Sequence, residues 1–216
     1  MADAIVDDTR VLFVANPNNP TGTVVDEATL IDFLDKVPAN VVVVLDEAYF
    51  EYVQADDGVD GIALLKHYPN LIVTRTFSKA FGLAALRVGY AVASDEITDV
   101  LNRVRAPFNV SAIGLAAAQA VLADPEYLEA GRQVNRAGME QLQAGFTALG
   151  LSYIPSAGNF LSVEFNVDTN DLYQKLLQRG VIVRPVGVYE MPNHLRVSIG
   201  LEQENAALLA ALKQVL

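Results

Sequence analysis

The chain has 216 residues and a 52% apolar fraction, enough for one large domain or two small ones with a sizeable core. Its 26 acidic and 15 basic side chains give a net charge of −11, which argues against nucleic acid or an anionic membrane as partner but leaves room for a small anionic ligand. There is no cysteine, so a disulfide framework and thiolate metal sites are excluded.

Met1 to Asp8 is acidic and lacks the basic and apolar regions of a signal peptide. No apolar run approaches a membrane span, and a soluble cytoplasmic protein is expected. Ala2 to Val6 reads like the last turns of a helix, so the chain is expected to start within a larger fold. Val11 to Ala15 is a short apolar run without alternation, the pattern of a strand buried on both faces. It ends at Asn16-Pro17-Asn18-Asn19-Pro20-Thr21-Gly22, where prolines and glycine forbid helix and strand. Asp26 caps a predicted helix from Glu27 to Lys36. Val41 to Leu45 is a second buried strand, followed by Asp46-Glu47-Ala48-Tyr49. A polar stretch from Gln54 to Gly61 leads to a short helix at Ile62 to Tyr68. Leu71 to Thr74 is a third strand and feeds Thr76-Phe77-Ser78-Lys79-Ala80-Phe81-Gly82.

Three strands of one character alternating with helical connections predict a parallel sheet, whose polar strand ends share one edge. Open α/β sheets bind ligands at that edge. A lysine there can form a Schiff base with a carbonyl compound, and the nearby hydroxyls and Arg87 can hold a phosphate. Asp46, following a buried strand, is expected to be partly desolvated and to suit a protonated ring nitrogen. Tyr49 and Asn19 can hydrogen-bond a ring oxygen.

Arg87 to Val92 is a fourth strand candidate. Ser94 or Asp95 caps a helix to about Arg105. Ser111 caps an alanine-rich helix to Leu122, expected to be buried. Asp124-Pro125 opens a long helix to Leu149 with Met139, Leu142, Phe146 and Leu149 inward, stopped by Gly150. Strands at Ser152 to Pro155, Phe160 to Phe165, Val181 to Pro185 and His194 to Ile199 then mix with helices at Asn170 to Arg179 and Glu202 to Leu216. That is the pattern of a small α+β domain. His67 and His194 lack ligand spacing, so no metal site is expected.

Asn16 to Gly22, Asp46 to Tyr49, and Ser78-Lys79-Ala80-Phe81-Gly82 with Arg87-Val88-Gly89 together resemble the class I/II aminotransferases of pyridoxal-phosphate fold type I. Within that family the histidinol-phosphate aminotransferases are the nearest group. The resemblance implies an α/β fold. Residues 1–130 would form part of a large cofactor domain with a mostly parallel sheet, and 131–216 a connecting helix and a small C-terminal α+β domain. It implies pyridoxal 5'-phosphate as cofactor, with Lys79, Asp46 and Tyr49 catalytic and Asn19, Thr76, Ser78 and Arg87 also contacting the cofactor. Arg196, Arg184 and Asn159 would bind substrate. The implied reaction moves an amino group between histidinol phosphate and 2-oxoglutarate or glutamate in histidine biosynthesis. The alternatives are another class I/II aminotransferase, a related phospho-amino-acid decarboxylase, or a folded fragment without catalysis. A small-molecule amino donor, a 2-oxo acid and a second copy in a homodimer are the implied partners. Complete members carry a longer N-terminal portion with a phosphate loop and a ring-stacking aromatic, so the N-terminal third is expected to be missing here.

Overall fold

The computed structural model describes residues 1–53 and 58–216, and the start of the polar stretch expected from Gln54 lies outside the described residues. The chain divides into two compact units, Met1–Pro17 with Val24–Leu128, and Asn18–Thr23 with Glu129–Leu216.

The first unit is built on strands β1 (Val11–Ala15), β2 (Val42–Asp46), β3 (Leu71–Thr76) and β4 (Gly89–Ala93), adjacent in that order. The first three run parallel and β4 returns antiparallel to β3. Helices α1 (Glu27–Leu34) and α2 (Gly61–Leu64) connect the parallel strands. Asp26 caps α1 by accepting the Thr29 N–H at 2.7 Å. The alternation of strand side chains puts Val43, Leu45, Leu71 and Val73 on one sheet face, where they pack against Leu30, Leu34 and Leu64 of the helices.

The opposite face is less covered, and this corrects the reading of β1 as buried on both faces. Val11 is 47% and Phe13 73% exposed. The cause is position: β1 is the last strand of the sheet, and the α1 and α2 side chains fill only the Val43 face. Helices α3 (Asp95–Val104) and α4 (Ala112–Leu122) follow β4, capped by Ser94 and Ser111 as expected. Contrary to its apolar composition, α4 buries only Gly114 and Ala118, while Ile113 is 74% exposed. Its buried face packs on Phe77, Phe81 and Val88, and that small cluster occupies one stripe of the helix.

The second unit has an antiparallel sheet of β5 (Ser152–Ile154), β6 (Phe160–Glu164), β7 (Arg184–Pro185) and β8 (His194–Ser198), in the order β5-β6-β8-β7. Helix α5 (Pro125–Ala148) leads into it, and α6 (Thr169–Leu177) and α7 (Glu202–Val215) cover it. The strand expected at Val181 to Pro185 shrinks to two residues. The loss is at its N-terminal end, where the Val181 N–H donates to the Leu176 carbonyl at 3.0 Å and closes α6 instead. Leu142 and Phe146 of α5, on the predicted inward face, meet Leu161, Val163, Leu172, Leu176, Leu195 and Leu212 in one core. Gly150 ends the helical segment with φ +69°, the left-handed conformation that glycine adopts without a Cβ penalty. Phe146 is fully buried. Phe146→Ala is expected to cost about 3–5 kcal/mol through lost burial and the cavity left behind, read as a lower urea midpoint with unchanged slope.

Among the described residues, no helix is long and apolar enough to cross a membrane.

Candidate functional site

In the first unit the carboxyl ends of β1, β2 and β3 lie side by side, with Ala15 beside Asp46 and Asp46 beside Thr74. Asp46, the last residue of β2, points to the same sheet face as Thr74 and Thr76. Its Oδ1 accepts from the Ala48 N–H at 3.1 Å and the Thr74 hydroxyl at 3.4 Å. The expected desolvation is not found, because Asp46 is exposed. It lies on the face that α1 and α2 leave open.

The chain then turns through Ala48 to Tyr49, whose ring is 4% exposed. From the next strand comes the lysine loop. Thr76 Oγ donates to the Val88 carbonyl at 3.4 Å and accepts from the Ser78 N–H at 3.1 Å. Phe77 is buried, its ring 5.1 Å from Phe81 and 5.8 Å from Tyr90, and it pins the loop to the cluster under α4. Lys79, half-buried, follows immediately, with Nζ 5.2 Å from the Tyr49 ring centroid. Among the described residues its ammonium has no hydrogen bond or ion pair, and neither does the Ser78 hydroxyl. Gly82 closes the loop with φ +71°, and a Cβ there would lie 2.4 Å from the Tyr127 hydroxyl. Arg87 is exposed and left-handed at φ +55°, its Nη1 donating to the Ala84 carbonyl at 2.9 Å. Asp46, Tyr49, Thr76, Ser78, Lys79 and Arg87 therefore belong to adjoining strand-end segments of one unit.

Sequence reading missed the group beneath them. Glu47 is 1% exposed on the covered side of the sheet. Its Oε1 accepts the Gly61 N–H at 2.7 Å, and its Oε2 accepts Arg75 Nε at 2.8 Å and Nη2 at 2.7 Å. Arg75 Nη2 also reaches Asp60 Oδ1 at 2.7 Å, and the guanidinium lies 3.5 Å from the Phe50 ring centroid. Burial pushes the Glu47 carboxyl above the usual range, opposed by the hydrogen bonds from Gly61 and Arg75. Burial also works against the Arg75 charge, but Glu47 and Asp60 outweigh it and hold the guanidinium protonated. Gly61 matters for its missing side chain, since a Cβ would stand 2.7 Å from Glu47 Oε1.

Asn19, Asn159, Arg184 and Arg196 lie in the second unit. Arg184 on β7 and Arg196 on β8 are direct cross-strand partners, so their side chains leave the same sheet face. Like charges so placed repel, and neither makes an ion pair among the described residues. Arg196 Nη1 donates to Asn19 Oδ1 at 2.5 Å, and the guanidinium lies 5.2 Å from the Phe160 ring centroid. Its Nε is buried without a hydrogen-bond partner. Arg184 is exposed. Asn159, half-buried, begins the approach to β6, and its carbonyl accepts the Ile199 N–H at 2.8 Å. The Asn18–Thr23 segment is fastened to the same unit by the Ser162 hydroxyl, which donates to the Pro20 carbonyl at 2.5 Å. No group of three or more potential metal ligands occurs among the described residues.

The family profile described as aminotransferase class I and II matches residues 1–212. Histidinol-phosphate aminotransferase 2 of Pseudomonas fluorescens is 58% identical over 216 residues, covering 100% of this chain and 58% of that protein. Histidinol-phosphate aminotransferase 1 of Idiomarina loihiensis is 53% identical over 215 residues, covering 100% of this chain and 59% of that protein. The crystal structure of histidinol-phosphate aminotransferase from Sinorhizobium meliloti, in complex with pyridoxal-5'-phosphate, superposes with a TM-score of 0.89 at 33% identity. That match covers 95% of this chain and 57% of that one. The chain thus spans less than two thirds of the length of these relatives.

Proposed function

This chain belongs to the class I and II aminotransferases, and from that membership we propose that it carries the lysine and its partners for pyridoxal phosphate, together with the anion-binding arginines of a histidinol-phosphate aminotransferase. The donor set of the first unit fits the cofactor. An exposed carboxylate suits a pyridinium nitrogen, an amine with no ion pair among the described residues suits an aldehyde, and Thr76, Ser78 and Arg87 offer hydroxyls and a guanidinium for a phosphate. When bound, pyridoxal phosphate supplies an electron sink for the bonds at the substrate's amino-bearing carbon.

The roles of the side chains follow from their chemistry. Asp46 pairs with the ring nitrogen and keeps a proton there. Tyr49 would donate a hydrogen bond to the ring oxygen, and the family reading also gives Asn19 a cofactor contact. Lys79 Nζ would hold the cofactor's aldehyde carbon, and as a free amine would move the proton of the substrate's amino-bearing carbon. Arg196 and Arg184 grip the substrate's anionic end, with Asn159 beside them.

The observation that carries the choice of substrate is the Arg184–Arg196 cross-strand pair. Two guanidiniums that make no ion pair among the described residues fit a phosphate dianion better than a single carboxylate. The reaction is then transfer of an amino group between histidinol phosphate and 2-oxoglutarate or glutamate in histidine biosynthesis. By the same family reading the enzyme works in the cytoplasm as a homodimer.

The test is an amino-donor panel with the cofactor-loaded protein, followed by the absorbance change of the bound chromophore. Histidinol phosphate is expected to convert the chromophore faster than histidinol or aromatic amino acids. Preference for an aromatic amino acid would reassign the substrate. No conversion by any donor would leave a folded, non-catalytic chain.

A further inference from the structure

We propose that the buried Glu47–Arg75 ion pair is a positioning strut that sets the Asp46–Tyr49 turn against the Thr76–Lys79 loop for cofactor capture. The inference rests on the pyridoxal-phosphate reading above and assigns a role to residues that touch no reacting atom.

The argument begins with strand alternation. Asp46 and Thr76 leave the open face of the sheet, while Glu47 and Arg75, one residue away from each, leave the covered face. The cofactor-facing residue of each strand end is thus bonded through the main chain to one half of the ion pair. Glu47 is also the hinge of the turn. Its N–H donates to the Thr74 carbonyl at 2.9 Å, and its carbonyl accepts the Phe50 N–H at 3.0 Å. Tyr49, which faces Lys79 Nζ, lies between those two fixed points.

Every contact on the pair converges on fixing its geometry. Both Glu47 oxygens are occupied, one by the Gly61 backbone and one by two guanidinium nitrogens. Arg75 is further held by Asp60 and by the Phe50 ring. A buried ion pair is weak evidence for stability, since apolar residues of similar volume often serve as well or better. Its distinctive contribution is a directional tie, and here the tie joins the two segments that carry the acid, the phenol and the amine.

The test compares three forms of the 216-residue chain. These are the wild type, Glu47→Gln, and the apolar double variant Glu47→Leu with Arg75→Met. Each is titrated with pyridoxal phosphate, reduced with borohydride, and mapped for a pyridoxyl group on Lys79. The pH midpoint of the bound chromophore and the thermal midpoint of the protein are read alongside. A positioning role predicts that both variants lose roughly tenfold or more in cofactor affinity, the scale seen when an outer partner that orients a binding group is removed. It also predicts a displaced chromophore midpoint, while the double variant keeps its thermal midpoint. If the variants bind within about twofold of wild type with the same chromophore midpoint, the pair is structural only and the inference falls. A loss of affinity that tracks a loss of folding in both variants overturns it as well. A wild type that takes up no pyridoxyl group at Lys79 sinks the functional reading itself, and this inference with it.

Discussion

Lys79→Ala is expected to give a folded chain in which borohydride reduction with pyridoxal phosphate leaves no label on the lysine loop, and transamination falls by at least about 10²–10⁴-fold. The loop does not depend on the amine. Phe77 and Phe81 anchor it by their rings, and the Thr76 hydroxyl and the Gly82 N–H, which donates to the Lys79 carbonyl at 2.9 Å, fix its turns. Lys79 is half-buried, its ammonium over the Tyr49 ring and without an ion pair among the described residues, so its loss is expected to change little but the chemistry. Mass spectrometry of the reduced protein and a thermal melt check both halves of the expectation. An undiminished label elsewhere in the chain would show that another amine captures the cofactor.

The second large effect concerns the arginine pair. Arg184→Ala and Arg196→Ala are each expected to raise the KM for histidinol phosphate about ten- to hundredfold, from a charge-assisted hydrogen bond worth about 1.5–3 kcal/mol. The unphosphorylated alcohol should be nearly indifferent to either change. On the proposed reading both side chains address one anion, so the double variant should lose less than the product of the single losses. Arg184→Ala carries an opposite stability signature. It removes a like charge from directly across the ladder, so the thermal midpoint should hold or rise slightly. Arg196 also bonds Asn19 and lies over Phe160, so its removal should lower the midpoint slightly. Equal losses for phosphorylated and unphosphorylated donors would remove the phosphate from the assignment.

Much of the framework was legible because buried parallel strands leave unbroken apolar runs. Val41 to Leu45 and Leu71 to Thr74 mark β2 and β3 directly, and polar clusters follow both of them. Asp124, which accepts the Tyr127 N–H, and Gly150 bracket α5 as their chemistry predicts. What was not legible depends on tertiary neighbours. Two carboxylates stand side by side at Asp46 and Glu47. Only the placement of α1 and α2 decides that the first meets water and the second is buried. Arg75 reads as an ordinary strand residue until its partners, 28 positions back at Glu47 and 15 back at Asp60, are known. The apolar composition of α4 could not reveal that one narrow stripe is all that its unit covers. The antiparallel return of β4 has a local cause. The segment from Phe77 to Val88 holds only a three-residue helical turn, too little for the crossover that a parallel return usually requires.

Phe13 and Val11 stand well out in solvent on a strand whose outer flank has no ladder partner among the described residues. Such a surface favours stacking of like chains, flank to flank, at high concentration. The surplus of eleven negative charges opposes that stacking by mutual repulsion. The molecules are therefore expected to stay apart in dilute salt and to associate as added electrolyte screens the repulsion.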